Sequence, residues 1–157
     1  MRFFMKKKVE QFLKEGLQKE VNTLFAFACL NNDIDTVQEY LDNEYIDDLG
    51  YEGGIFAIYA AKKGNSDILK ILYQCQKNNE VKQYQHDILN AAASSGQISC
   101  IEFLLEQGAD PLELKGTSAY NNYQAVEEIF RDYELKLSGE NNHVQPNNFI
   151  EQTNNLV

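Results

Sequence analysis

Three stretches of the chain align with one another, without gaps, at a fixed offset of 32 residues. They cover residues 28–41, 60–73 and 92–105. A fixed period of this size is typical of stacked repeat proteins, in which each unit buries its apolar face against the next unit. The period therefore predicts a row of similar units, and such a row favours a binding function because it presents an extended surface to other molecules.

Each copy has the pattern of two short helices joined by a tight turn. Apolar residues recur at helical spacing on both sides of a short polar segment. Alanine pairs at residues 60–61 and 92–93 place methyl groups where two antiparallel helices approach closely, and larger side chains would overpack that contact. Gly64, Gly96 and, in the first copy, Asn32 follow the first helix, where a left-handed backbone is often needed.

Polar residues near the start of the second helix are candidates for its N-cap. Asp35 and Ser66 carry side-chain oxygens that can accept hydrogen bonds from the free backbone N–H groups of a first helical turn. We expect these two residues to cap the second helices of the first and second copies.

These residues resemble the ankyrin repeat, whose pattern is roughly T-P-L-H-x-A-A-x-x-G-H-x-x-V-V-x-L-L-L-x-x-G-A-D. The third copy is most similar to it, from the alanine pair at 92–93 to the Gly-Ala-Asp turn at 108–110, and the resemblance covers residues 9–137. No copy has the Pro or His of the T-P-L-H box, and the first two copies lack the Gly-Ala-Asp turn, so we expect irregular connecting loops there. The resemblance implies an all-α solenoid of helix–turn–helix units with capping half-repeats.

The ends of the chain read as half-units around the repeats. We predict an N-terminal capping half-repeat over residues 1–22, and three repeats with a truncated C-terminal capping repeat over residues 23–137. The last helix is expected to pack through an apolar face made of Val126, Ile129, Phe130, Tyr133 and Leu137. Residues 138–157 are Asn-rich and lack apolar periodicity, which indicates a disordered tail.

Composition limits the classes of partner. The net charge of −10 argues against nucleic acid, which requires clustered Lys and Arg, and it favours a basic protein or peptide partner. No apolar run approaches the length that crosses a bilayer. Cys29 and Cys100 occupy repeat positions that other copies fill with small or apolar residues, so they read as buried, reduced thiols in a cytoplasmic protein.

The sequence carries no motif for catalysis or for a cofactor. His86 and His143 stand alone, and neither has metal-ligand spacing with Cys or Asp. No phosphate loop or nucleophile elbow is present, and the glycines of residues 50–54 are expected to supply turns in a loop. We therefore expect a non-enzymatic protein that needs no cofactor or metal and is a monomer by itself.

Two surfaces are candidates for partner binding. One is an acidic loop with aromatic residues, which offer rigid contact area beside carboxylates that can pair with Lys or Arg. Its predicted binding residues are Tyr45, Asp47, Asp48, Tyr51 and Glu52. The other is implied by the ankyrin resemblance, since ankyrin proteins usually bind through the concave side. The corresponding positions are Leu30, Asn31, Lys62, Lys63, Ser94 and Ser95. Phe27 and Tyr59 match family positions that usually pack in the core, so both are expected to be buried.

These features favour a protein–protein interaction module that binds a protein or peptide on its concave face. Two alternatives remain open at this point. Small ankyrin proteins with Asn-rich ends resemble effectors that intracellular bacteria translocate into host cells, which would place the chain in a host cytoplasm. The second alternative is an inhibitor or stabilising subunit of another enzyme.

Overall fold

The computed structural model describes residues 2–121 and 123–139, and the regular structure within them is helical, with no strand. The α-helices are α1 (Arg2–Lys14), α2 (Gln18–Leu30), α3 (Ile34–Asp42), α4 (Tyr51–Lys63), α5 (Ser66–Cys75), α6 (Gln85–Ser94), α7 (Ile98–Glu106), α8 (Ser118–Asn121) and α9 (Gln124–Ser138). Two short 3₁₀ helices cover Lys82–Tyr84 and Pro111–Leu114. The all-α prediction is confirmed.

The helices stack in two rows, as the 32-residue period predicts. The first helices of successive units, α2, α4, α6 and α8, each contact the next helix of the same row. The second helices, α3, α5 and α7, form the other row, and each packs against the first helix of its own unit. Every unit thus buries its apolar faces against its neighbours, which is the architecture of a helical-repeat solenoid.

The core lies between the two rows and continues from one unit to the next. Phe25 of α2 meets Phe56 of α4 edge to face, with ring centroids 4.9 Å apart, and both side chains are fully buried. The alanines at 60–61 and 92–93 are also fully buried, so their small size does allow the close helix approach that the sequence predicts. Burial of one such Phe side chain contributes roughly 1.5–3 kcal/mol.

The turns inside the units have the predicted left-handed backbone. Asn32, Gly64 and Gly96 have φ values of 58°, 78° and 67°. Because each of them turns the chain directly into the second helix, the N-cap comes one residue later in each unit.

The prediction that Asp35 and Ser66 cap the second helices is therefore wrong. The N-cap of α3 is Asp33, whose side chain accepts hydrogen bonds from the backbone N–H of Thr36 at 3.1 Å and from its hydroxyl at 2.7 Å. The N-cap of α5 is Asn65. Asp35 and Ser66 lie within the first turns of α3 and α5.

The predicted ends differ from the structure in detail. α2 begins at Gln18, ahead of the predicted boundary between residues 22 and 23. In α9 the side chains of Val126 and Phe130 are buried, but Leu137 is 62% exposed, so its predicted packing role is wrong. The predicted disordered tail lies, from residue 140 onward, outside the described residues.

Candidate functional site

An open groove of about 300 Å³ lies between the first helices of the first two units. From α2 it takes Thr23, Ala26, Phe27 and Leu30, which follow one another at the spacing of a single helix face. From α4 it takes apolar and aromatic side chains, chiefly those of Ile55, Phe56 and Tyr59. The groove therefore combines an apolar lining with access from solvent.

Phe27 is the most informative residue of the groove because 57% of its surface is exposed. The expectation that Phe27 is a core residue is wrong. The buried face of α2 is formed by residues such as Phe25 and Ala28, and Phe27 lies two positions from Phe25, roughly 200° around the helix. Tyr59, which holds the equivalent position one unit later, is half-buried and lines the same groove.

Aromatic packing fixes the floor of the groove. Phe56 is fully buried beneath it, and the ring of Tyr51 stacks on Phe56 with centroids 5.8 Å apart. The Tyr51 hydroxyl donates a hydrogen bond of 2.9 Å to Oε1 of Glu52. The first turn of α4 thus sets both an aromatic ring and a carboxylate at one end of the groove.

A polar network anchors this end of the groove to the preceding loop. The side-chain amide of Gln18 donates to Oδ1 of Asn22 at 2.9 Å and to the backbone carbonyl of Tyr45 at 2.8 Å. Asn22 is 2% exposed and also hydrogen-bonds Tyr51. The hydrogen bond to Glu52 raises the pKa of the Tyr51 phenol, partial burial and the charge of Glu52 add to this, and the Asn22 hydrogen bond opposes it. The phenol therefore stays protonated as a donor to Glu52.

An unusual backbone turn holds Glu52 in place. Glu52, Gly53 and Gly54 have φ values of 45°, 72° and 78°, so the start of α4 is a left-handed turn. A left-handed conformation costs a residue with a Cβ about 1–2 kcal/mol. Gly54 needs to be glycine for a second reason, because an added Cβ would lie 3.0 Å from side-chain atoms of Tyr84. The glycines of this segment supply the turn, as the sequence predicts.

The predicted concave-face residues lie at the C-terminal ends of the three first helices. Leu30 is half-buried and lines the groove. Asn31, Lys62, Lys63 and Ser94 are exposed, and Ser95 is half-buried. The side-chain amide of Asn31 donates a hydrogen bond of 2.8 Å to the backbone carbonyl of Phe27.

The predicted loop residues separate into three environments. Tyr51 and Glu52 line the groove with Leu30. Asp47 and Asp48 are exposed outside the groove, and Oδ1 of Asp48 accepts the N–H of Gly50 at 2.8 Å.

Tyr45 is buried, which contradicts its predicted exposure in a binding loop. Its ring meets the ring of Tyr40 edge to face at 5.7 Å, and its hydroxyl lies 3.4 Å from a carboxylate oxygen of Glu10. The loop folds back because Gln18 holds its carbonyl, so Tyr45 serves packing and is not accessible to a partner.

The sequence predicts neither Phe27, Ile55 nor Tyr59 as a binding residue, yet all three line the groove. The signal was present as a second stripe on α2, with apolar residues at 26, 27 and 30, beside the stripe that reaches the core. A surface helix needs one apolar stripe to reach the core, and core packing does not account for Phe27 and Leu30.

Within residues 2–121 and 123–139, no group of three or more His, Cys, Asp and Glu side chains could hold a metal ion. No helix in the same part of the chain is both long and apolar enough to span a bilayer.

A row of helical hairpins that pack against one another in this way defines a helical-repeat solenoid. The chain belongs to the ankyrin-repeat family, since residues 8–114 match the family model described as ankyrin repeats in three copies. Ankyrin repeats are generic protein–protein interaction modules.

The chain is also similar to inversin of Danio rerio, with 37% identity over 86 residues. That match covers 51% of this chain and 8% of inversin, so the chain spans a small part of the relative's length. No solved structure matches the chain.

Proposed function

We propose that the chain is a non-enzymatic module that binds a protein or peptide segment in the groove between α2 and α4, on the concave side of the repeats. The observation that carries this proposal is Phe27, which is 57% exposed in a groove lined by Leu30 and Tyr59. Large apolar side chains exposed in a concave site are typical of binding surfaces. Aromatic residues in such places commonly dominate the binding energy.

Burial of the exposed Phe27 ring by a partner would stabilise a complex. Covering the exposed half of the Phe27 ring would contribute about 1 kcal/mol from the area removed from water. The groove is already formed, because buried Phe56 and the Gln18–Asn22 hydrogen bond hold its floor and one end. A preformed site needs little ordering on binding, so more of this contribution appears as affinity.

Charge supports a basic partner. The chain carries a net charge of −10, and complementary fields accelerate the encounter of oppositely charged proteins. The association rate should therefore fall as salt is added, whereas dissociation should depend mainly on the apolar contacts with Phe27.

We further propose that this module is a monomer in a reducing cytoplasm. Its three cysteines are free, and Cys29 and Cys100 are buried in the repeat core. Free buried thiols are compatible with a compartment in which disulfides do not form. Size-exclusion chromatography with light scattering would test the monomer, and a dimer mass would contradict it.

The decisive experiment compares two exposed apolar residues. Phe27→Asp and Leu112→Asp each place a charge at an exposed position, but Leu112 lies in the 3₁₀ helix Pro111–Leu114, outside the groove. Affinity capture from cells of the source organism should lose the principal bound protein with Phe27→Asp and keep it with Leu112→Asp. Equal loss or equal retention with both variants would contradict binding in the groove.

A further inference from the structure

The groove has a different charge at each end. At the first turn of α4, Glu52 lines it together with Lys19, and the adjacent Glu20 lies close enough to affect Tyr51 electrostatically. Two carboxylates against one ammonium group leave this end with an acidic excess.

Beyond the other end of the groove, past its lining residue Tyr59, the surface of α4 carries two lysines. Lys62 and Lys63 follow Tyr59 by three and four residues in α4, so they lie one helical turn beyond it on the same face. Both are exposed, and neither forms an ion pair with another residue in the described part of the chain. A helix rises 1.5 Å per residue, which puts Lys62 roughly 10 Å beyond Ile55 along the axis.

The acidic end has room for a cation. The Tyr51 hydroxyl donates a hydrogen bond to Oε1 of Glu52, and Oε2 has no hydrogen-bond partner among the described residues. The Tyr51 hydrogen bond and the left-handed turn fix the direction of this carboxylate before any partner arrives. A Lys or Arg side chain could therefore pair with Glu52 without displacing Tyr51.

Resting on the proposed function, we propose that the groove selects a short segment in one orientation. The segment carries an apolar anchor against Phe27 and Tyr59, a basic residue on the Glu52 side, and an acidic residue on the side of Lys62 and Lys63. The apolar contact supplies most of the affinity, whereas the two charges decide which way the segment lies.

A phage-displayed library of random dodecapeptides provides the probe. Selection on the wild-type protein should enrich peptides that have an apolar residue flanked by a basic residue on one side and an acidic residue on the other. Fluorescence anisotropy then gives the Kd of a selected peptide and of a version with its two charges exchanged. We expect the exchanged peptide to bind at least about fivefold more weakly, which corresponds to one or two exposed ion pairs.

Charge variants test each end separately. Glu52→Gln keeps a side chain of the same size that can accept the Tyr51 hydrogen bond, and it should remove the preference for the basic residue. Lys62→Glu combined with Lys63→Glu should favour peptides with a basic residue at that end. Lys70→Glu, on the second helix α5 and outside the groove, is the matched control and should leave the selection unchanged.

The outcomes separate this inference from the proposed function. One outcome is that the selected peptides bind the wild type and both charge variants equally well but do not bind Phe27→Asp. In that case the orientation proposal is overturned and the groove remains the binding site. If selected peptides bind Phe27→Asp as well as the wild type, or if none is enriched over that variant, both proposals fail.

Discussion

The side-chain amide of Asn65 donates a hydrogen bond of 2.7 Å to the backbone carbonyl of Cys29, one unit earlier in the stack. It also reaches the carbonyl of Leu30 at 3.3 Å. The last carbonyls of a helix have no partner within that helix, and here the next unit supplies one. At the equivalent position one unit later, the amide of Gln97 donates to the carbonyl of Lys62 at 3.3 Å.

This relationship predicts the effect of removing the Asn65 amide. Asn65→Ala should lower the free energy of unfolding by about 1 kcal/mol, because the carbonyl of buried Cys29 loses its donor. Asn65→Asp has nearly the same shape but cannot donate, so it should destabilise at least as much. Gln97→Ala should cost less, since its hydrogen bond is longer and exposed. Urea unfolding would measure all three, and an equal loss for Gln97→Ala and Asn65→Ala would contradict this account.

Truncation of two phenylalanines on adjacent first helices should have very different effects on stability. Phe56→Ala should cost about 3–5 kcal/mol, because Phe56 is fully buried and its loss leaves a cavity. Phe27→Ala should change stability by less than about 0.5 kcal/mol, as is usual for an exposed position. Thermal and urea unfolding would measure both. A large loss with Phe27→Ala would show that its ring packs in the core.

Two left-handed glycines separate a backbone cost from a packing cost. Gly64 has φ 78°, and a Cβ there would collide with the side-chain amide of Gln97. Gly108 has φ 88° with nothing within 4 Å of an added Cβ. In both Ala variants the strained backbone should lower the free energy of unfolding by about 1 kcal/mol. Gly64→Ala should lower it further, because the side chain of Gln97 must move. In a background that carries Gln97→Ala, Gly64→Ala and Gly108→Ala should cost the same free energy of unfolding. If urea unfolding still shows a larger cost for Gly64→Ala, the clash with Gln97 is not its cause.

Acid stability should depend on Glu134 in the C-terminal cap. The hydrogen bond from the Tyr120 hydroxyl, at 2.7 Å, holds the pKa of Glu134 below its ordinary value; Lys115 acts in the same direction, and partial burial opposes both. Since the folded-state pKa is depressed, ionised Glu134 stabilises the fold above the ordinary pKa of a glutamate. That stabilisation is lost as the pH falls through the folded-state value.

Glu134→Gln should therefore lower the Tm at neutral pH, and the gap from wild type should close as the solution is acidified. Tyr120→Phe removes the donor but keeps the ring that packs against Phe130, so it should reduce the same pH dependence. Differential scanning calorimetry at several pH values would measure both variants. A gap that stays constant across the acid range would rule out the linkage.

The 32-residue period predicts much of this fold because backbone chemistry repeats with it. Asn32, Gly64 and Gly96 adopt the left-handed turn that their residue types favour, and the alanine pairs at 60–61 and 92–93 are buried as expected. These turns and buried alanines depend only on contacts within one unit or between adjacent units of the repeat. They can be inferred without knowing the overall curvature of the stack.

The site was only partly predictable, because its residues depend on which helix faces remain uncovered. The sequence predicts Leu30, Tyr51 and Glu52 as binding residues, and all three line the groove, but it wrongly predicts a buried Phe27 and an exposed Tyr45. Both α2 stripes are apolar, so periodicity does not distinguish Phe25 from Phe27. The burial of Tyr45 depends on a hydrogen bond from Gln18 to its carbonyl, which no local pattern reveals.

The three thiols of the chain differ sharply in chemical reactivity. Burial raises the pKa of Cys29 to about 12 and that of Cys100 to about 11, whereas Cys75 at the end of α5 is exposed. The thiolate is the nucleophile that attacks a maleimide, so exposed Cys75 should be modified first in the native protein. A dye attached there would sit outside the groove, so the protein could be labelled without an engineered cysteine and with the groove left open to a partner.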